Sequence, residues 1–194
     1  MRKFLVVAVL LGLLALALPL MADDKVEVFG GYQYLHLGAA TTNGQTIFNS
    51  QGFNGWDARV TFNAVKYFGI EGDFGGAYAT FGGKHGVDTH LYTFSGGPVV
   101  SFPVGPIKPF VHGLFGGLHS SFSGSGVSLS DNGYTTMVGG GLDVKAGKVI
   151  AIRLAEFDWV YYHLGALSTA GKQLFPSFGE SNNFRVATGI VFRF

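Results

Sequence analysis

Three sets of residues in this 194-residue chain have types and spacings that chemistry could use. The first is His119-Ser120-Ser121. Alternate side chains of a strand share a face, so His119 and Ser121 would stand together as base and nucleophile of a serine hydrolase. Such a site also needs a carboxylate, and the nearest downstream acid, Asp131, lies in a Gly/Ser-rich segment. The second set is His36, His85, His90, His119 and His163, which gather toward one end of the expected strands, with only His112 at mid-strand. Imidazoles can ligate metal, but rings at a water–apolar boundary explain the same pattern, and that reading is preferred. The third set is charged: Glu27, Asp57, Glu71, Asp73, Asp143, Glu156 and Asp158 against Arg59, Arg153, Arg185 and Arg193. These residues are expected to point into one interior, where charges of both signs must pair, because an unpaired buried charge is costly. No P-loop, dinucleotide fingerprint, cysteine-based metal site or catalytic carboxylate pair is present. Gly82-Gly83 and Gly139–Gly141 lack the context of a phosphate cradle. No catalytic residue, cofactor or bound metal is therefore expected.

The elements that must position these residues are strands. Short alternating segments at 25–37, 54–64, 69–78, 90–102, 107–119, 134–145, 149–164 and 183–194 make eight. Each is near the ~9–11 residues that a tilted strand needs to cross a bilayer. The last is the clearest. Phe184, Val186, Thr188, Ile190, Phe192 and Phe194 share one face, and Asn183, Arg185, Ala187, Gly189, Val191 and Arg193 share the other. In 54–64, Trp56, Ala58, Val60, Phe62 and Ala64 alternate with Asp57, Arg59, Thr61 and Asn63. Strands 90–102 and 107–119 are apolar on both faces, and their registers stay open. Strand 149–164 breaks parity: Ile150, Ile152 and Leu154 oppose Arg153, whereas Phe157, Trp159 and Tyr161 oppose Glu156 and Asp158. A β-bulge near Ala155 would turn all three charges to one side.

The intervening breaks alternate in length. Long ones cover 38–53, 79–89, 120–133 and 165–182, and short ones cover 65–68, 103–106 and 146–148, which is the pattern of an outer-membrane barrel with long outer loops and tight inner turns. Apolar loop residues such as Phe48, Phe53, Phe122, Phe175 and Phe178 would pack over the barrel mouth or form an adhesive surface, with self-packing favoured. Tyr67, Phe68, Phe102, Phe192 and Phe194 fall on the turn side. Tyr34, Trp56, Tyr78, Tyr92, Tyr134, Tyr161 and Tyr162 fall toward the loop side, giving two aromatic girdles.

At the start, Arg2 and Lys3 precede the uncharged run Phe4 to Met21, and Ala22 is followed by Asp23 and Asp24. This reads as a secretory signal peptide over 1–22 and a mature barrel over 23–194. Removing 1–22 leaves eleven Lys and Arg against twelve Asp and Glu, a net charge of −1 that gives no reason to expect nucleic acid. The absence of cysteine excludes disulfides and a lipoprotein anchor.

Together these features resemble the small eight-stranded outer-membrane β-barrels, the OmpA barrel domain and OmpX type, over essentially all of 23–194. The most specific element is Gly189-Ile190-Val191-Phe192-Arg193-Phe194, which resembles the C-terminal signal read by the barrel-assembly machinery in its Gly189, Phe192 and Phe194. Ala187 stands where that signal usually has a polar residue. The resemblance implies an all-β, antiparallel up-and-down transmembrane barrel in a Gram-negative-type outer membrane. It would be a monomer, among outer-membrane lipids and lipopolysaccharide, without the peptidoglycan-binding domain that follows the barrel in OmpA-type proteins. The expected role is structural or surface-interacting, with a lumen plugged by paired charges. The alternatives are a narrow passive channel, an outer-membrane lipid-modifying hydrolase of the lipid A deacylase kind at His119 and Ser121, and a soluble β-sandwich.

Overall fold

The computed structural model describes residues 24–42, 45–81, 87–124, 127–164, 167–169, 172–175 and 178–194. The signal-peptide assignment to 1–22 lies outside them. The chain runs β1 (Val26–Leu37), β2 (Ala40–Thr42), β3 (Gln45–Phe48), β4 (Gln51–Val65), β5 (Phe68–Phe81), β6 (Val87–Ser101), β7 (Ile107–Gly124), β8 (Val127–Lys145), β9 (Ile150–Leu164), β10 (Leu167–Thr169), β11 (Lys172–Phe175) and β12 (Phe178–Arg193). Eight of these close an antiparallel barrel in the order β1-β12-β9-β8-β7-β6-β5-β4, and β2–β3 and β10–β11 are small hairpins on the loop side. Closure pairs every ladder and leaves no open edge, which a hydrocarbon environment demands.

The alternation read from the sequence sets the wall. On β12, Asn183, Arg185, Ala187, Val191 and Arg193 are buried, whereas Val186, Thr188, Ile190, Phe192 and Phe194 are exposed. The same division runs round the barrel. Phe62, Ile70, Phe94, Val111, Phe115, Val138, Trp159 and Ile190 are among a full ring of large hydrophobics facing outward, Phe115 at 64% exposure. A soluble sandwich would bury these side chains. A lipid-facing belt accounts for them.

The parity break in β9 is a bulge at Leu154 and Ala155. Leu142 faces Ala155 while Asp143 faces Arg153, and across β12 the pairing jumps from Ala187–Glu156 to Gly189–Arg153. Both bulged residues point out, and Arg153, Glu156 and Asp158 all point in. At the β6–β7 turn, Gly105 takes φ 59° as the first central residue of a two-residue hairpin, where the right-handed twist of the strands calls for glycine.

Strands on the loop side run further than the sequence suggested. Segment 120–133, expected as a loop, is mostly strand: Ser120–Asp131, Phe122–Leu129 and Gly124–Val127 remain paired between β7 and β8. Likewise β5 and β6 stay paired to Phe81–Val87. Backbone pairing does not require apolar side chains, so a polar, glycine-rich segment can extend a hairpin into water. Phe53, expected in a loop, is an inward residue of β4, and Tyr162, expected in the outer girdle, points into the barrel at 6% exposure. Tyr161 already occupies the outward parity that the bulge establishes.

Candidate functional site

Among the described residues, the lumen is the one place where functional groups converge. At its centre the Arg59 guanidinium meets four carboxylates. Nη2 lies 2.5 Å from Asp57 Oδ2, Nη1 donates to Glu156 Oε2 at 2.6 Å and stands 3.5 Å from Glu71 Oε1, and Nη2 also contacts Glu156 Oε1. Its Nε is 2.8 Å from Asp73 Oδ2, too oblique for a hydrogen bond but an ion contact. Arg185, two strands away on β12, bridges Asp158 at 2.7 Å and Asp73 at 3.0 Å. His112 links the two groups: Nδ1 lies 2.8 Å from Glu71 and Nε2 2.7 Å from Asp158. These side chains come from five strands, and each is brought to one level by the barrel registers Arg59–Asp73, Gly139–Asp158 and Arg185–Asp158.

Toward the turns, Arg153 forks onto Asp143 at 2.8 and 3.1 Å and reaches Glu156 at 2.7 Å. Its guanidinium lies between the rings of Phe29 and Phe110, 4.4 and 4.3 Å from their centroids, a doubly stacked cation. Lys108 pairs with Glu27, which also accepts from Asn63 Nδ2 at 3.1 Å. Arg193 holds Asp24 at 2.8 Å and donates to the carbonyls of Gly147 and Lys148, tying the last strand to the β8–β9 turn. Charge-assisted bonds of this kind supply what a buried ion loses on leaving water.

Toward the loops, the interior changes character. Leu35, Phe53, Ala77, Leu91, Leu114, Leu118, Met137, Val160 and Tyr162 form one buried apolar cluster. Between the two zones, Gln33 donates to the carbonyls of Trp56 and Gly76 from inside the barrel. The cavities described within the lumen lie on the turn side. One of about 10 Å³ is lined by Glu27, Glu71, Lys108, Asp143 and Arg153, and one of about 40 Å³ lies at the mouth between Asp24, Lys66, Lys108 and Lys145.

All eleven charged residues singled out in the sequence are buried inside the wall. Lys108 and His112 were missed. They sit four apart on β7 and so share a face, a signal hidden by the apolar residues on both sides of that strand. Gly189, Phe192 and Phe194 stand elsewhere, at the β1–β12 seam. Phe192 and Phe194 face outward, and Val26 and Phe194 exchange backbone bonds at 2.8 and 3.1 Å. Gly189 faces Gly31, and any side chain there would strike the Gly31 backbone and the Phe29 ring. The seam glycines thus make the notch in which Phe29 lies flat under Arg153.

The other two constellations do not assemble. His119 and Ser121 face out of the wall, whereas Asp131, paired opposite the inward Ser120, takes the opposite face. The His119 ring is bonded to Asn132 instead, Nδ1 to Oδ1 at 2.7 Å. The rim histidines are spread over separate strands, each against its own neighbour: His36 on Phe184, His90 on Tyr78 and His163 on Tyr134. His85 lies outside the described residues. Among the described residues the one metal-like group is His112, Glu156 and Asp158, and each of its carboxylates is already held by arginine.

No protein-family profile matches the chain, and no curated protein sequence does. Solved structures do. Neisserial surface protein A superposes with a TM-score of 0.64 at 11% identity, over 88% of this chain and 98% of that one. Ail, the attachment invasion locus protein of Yersinia pestis, gives 0.53 at 19%, over 89% and 99%. The outer membrane protein OprG of Pseudomonas aeruginosa gives 0.51 at 10%, over 90% and 98%. The fold is that of the small eight-stranded outer-membrane β-barrels, and with the hydrophobic belt it marks an outer-membrane protein.

Proposed function

We propose that this chain is a monomeric, non-conducting outer-membrane barrel whose role is structural or exercised at its loop-side surface. The single observation that supports this is the lining of the lumen. Ion pairs line its turn-side half, a buried apolar cluster lines its loop-side half, and two cavities on the turn side measure about 10 and 40 Å³. The long β7–β8 hairpin supports a surface role. Gly124 lies five residues past His119, about 17 Å further along the strand at ~3.3 Å per residue. Opposed faces for His119 and Asp131 speak against a lipid hydrolase. Single-channel recording of the folded barrel in planar bilayers tests the proposal. The expected trace is flat, and a steady open level would replace this reading with the narrow channel.

Biogenesis completes the proposal. Residues 1–22 direct export and are removed, and Gly189, Phe192 and Phe194 are read by the barrel-assembly machinery before the seam closes. Lipopolysaccharide and other outer-membrane lipids then surround the belt. Deleting Phe194 removes one exposed ring and one pair of seam bonds, yet it is expected to lower the surface-inserted fraction in cells severalfold. Normal insertion of the truncated chain would show that the ending carries no signal.

A further inference from the structure

The belt is not uniformly filled. Trp56 on β4, the Phe74–Phe94 ring pair on β5 and β6, Tyr92 on β6 and the His119–Asn132 pair on β7 and β8 surround a groove of about 440 Å³ on the outer wall. That is within the size of small-molecule sites. Its floor is backbone at Gly117 and Gly133. Gly117 faces outward between its ladder partners Phe94 and Tyr134, and a side chain there would meet nothing within 4 Å. The ring walls are firm: Phe74 and Phe94 lie with centroids 5.0 Å apart, and Trp56 Nε1 donates to Tyr78 Oη at 2.9 Å. The far wall is polar, where His119 Nδ1 meets Asn132 Oδ1 at 2.7 Å.

This groove opens only onto the medium around the barrel and is continuous with the lipid-facing belt. Its occupant is therefore taken from the bilayer. A flat apolar wall touches a hydrocarbon chain along one side, but a groove touches it along three, and dispersion contacts that are individually small add up over that length. The polar pair stands at the level of the tyrosine girdle, where a lipid's ester groups lie. We propose that the groove seats one acyl chain of a bilayer lipid in the loop-side leaflet, with the lipid's ester region against His119 and Asn132. The proposal rests on the membrane-barrel reading but not on a closed lumen, so flat and open conductance traces leave it equally testable.

The test uses the folded barrel reconstituted in dioleoylphosphatidylcholine and examined by native mass spectrometry. Wild type is expected to retain one lipid at collision energies that strip the remainder. Gly117→Phe, which fills the floor, is expected to retain none. Gly113→Phe places the same ring at another outward glycine with open space around it, outside the groove, and is expected to behave as wild type. Equal retention by all three proteins, or none by wild type, overturns the proposal. A second measurement needs no groove-filling variant. The chain has two tryptophans, so Trp159→Phe leaves Trp56 as sole reporter and Trp56→Phe leaves Trp159. In vesicles with a rising share of dibrominated phosphatidylcholine, Trp56 emission is expected to fall in simple proportion, as for one neighbouring chain. Trp159, on open wall, should fall as a higher power of the unbrominated fraction. Equally steep curves overturn the proposal even if Gly117→Phe does not fold.

Discussion

The lumen of this barrel is lined in two ways, and the difference separates directional bonding from non-directional packing. The turn-side half contains seven buried carboxylates against Arg59, Lys108, Arg153, Arg185 and Arg193, with His112 between two of the acids. The loop-side half contains Leu35, Phe53, Leu91, Leu114, Leu118, Met137, Val160 and Tyr162. At the centre of the charged half Arg59, Arg185 and Glu156 are each fixed by directional bonds to several partners, so losing one strands the others. In the apolar half contacts are non-directional, and a lost methyl group leaves a space that neighbours can partly take up. Two small lumen cavities lie in the charged half, where water finds polar partners on every side. On the sealed-lumen proposal, the ion pairs supply rigidity and the hydrocarbon supplies the barrier.

The sharpest way to break this contrast is Arg59→Gln. It leaves Asp57, Glu71, Asp73 and Glu156 sharing too little positive charge, and removal of one partner from a buried pair costs ~3–5 kcal/mol. Urea unfolding in vesicles, followed by tryptophan emission, reads the loss. A change below ~1 kcal/mol would mean that water already screens the cluster and that the turn-side half is open. Next comes Leu114→Ala, 1% exposed in the parent, with an expected cost of about 3 kcal/mol within the usual 2–5 for such a truncation. Combined with Met137→Ala it should also give the first measurable leak in planar bilayers, whereas Arg59→Gln should not. A leak from the charge variant alone would assign the barrier to the wrong half. The smallest effect is expected from replacing a whole pair. Lys108→Met with Glu27→Gln should unfold within ~1 kcal/mol of the parent, since an ion pair exchanged for neutral groups of similar volume is often near-neutral. A loss approaching that of Arg59→Gln would show that the mouth pair is part of the central network.

The same division governs how far the sequence could be read. Where the interior is charged, inside and outside differ in type. The alternation in 54–64 and 183–194 separated the faces and with them Asp57, Arg59, Arg185 and Arg193, and the clash of parities in β9 pointed to its bulge. Where the interior is apolar, inside and outside are alike. Strands β6 and β7 alternate hydrocarbon with hydrocarbon, as in Leu114-Phe115 or Leu91-Tyr92, and no pattern could show that Lys108 and His112 point inward. Strand ends were lost for a related reason. Beyond the belt neither face has to be apolar, so the polar run from Ser120 to Gly133 looks like a loop although its backbone pairs as a hairpin. The enzyme and metal-rim alternatives came from spacing alone, and spacing does not say which side of the wall a residue faces.

The bulge at Leu154 and Ala155 has a consequence for how such a chain can change. A strand with a strict two-residue period has a reading frame: remove one residue, and everything beyond it exchanges lipid for lumen. Strand β9 joins two frames through its single surplus residue, so the bulge is where its length can change without exchanging its faces. Removing Leu154 or Ala155 would leave Arg153, Glu156 and Asp158 on one face of an unbroken alternation, whereas removing Phe157 would turn Asp158 toward hydrocarbon without altering any of the chemistry that residue carries. Point substitutions along the strand are matters of degree, but its residue count away from the bulge is not, and descendants of this barrel can shorten β9 most readily at Leu154 and Ala155.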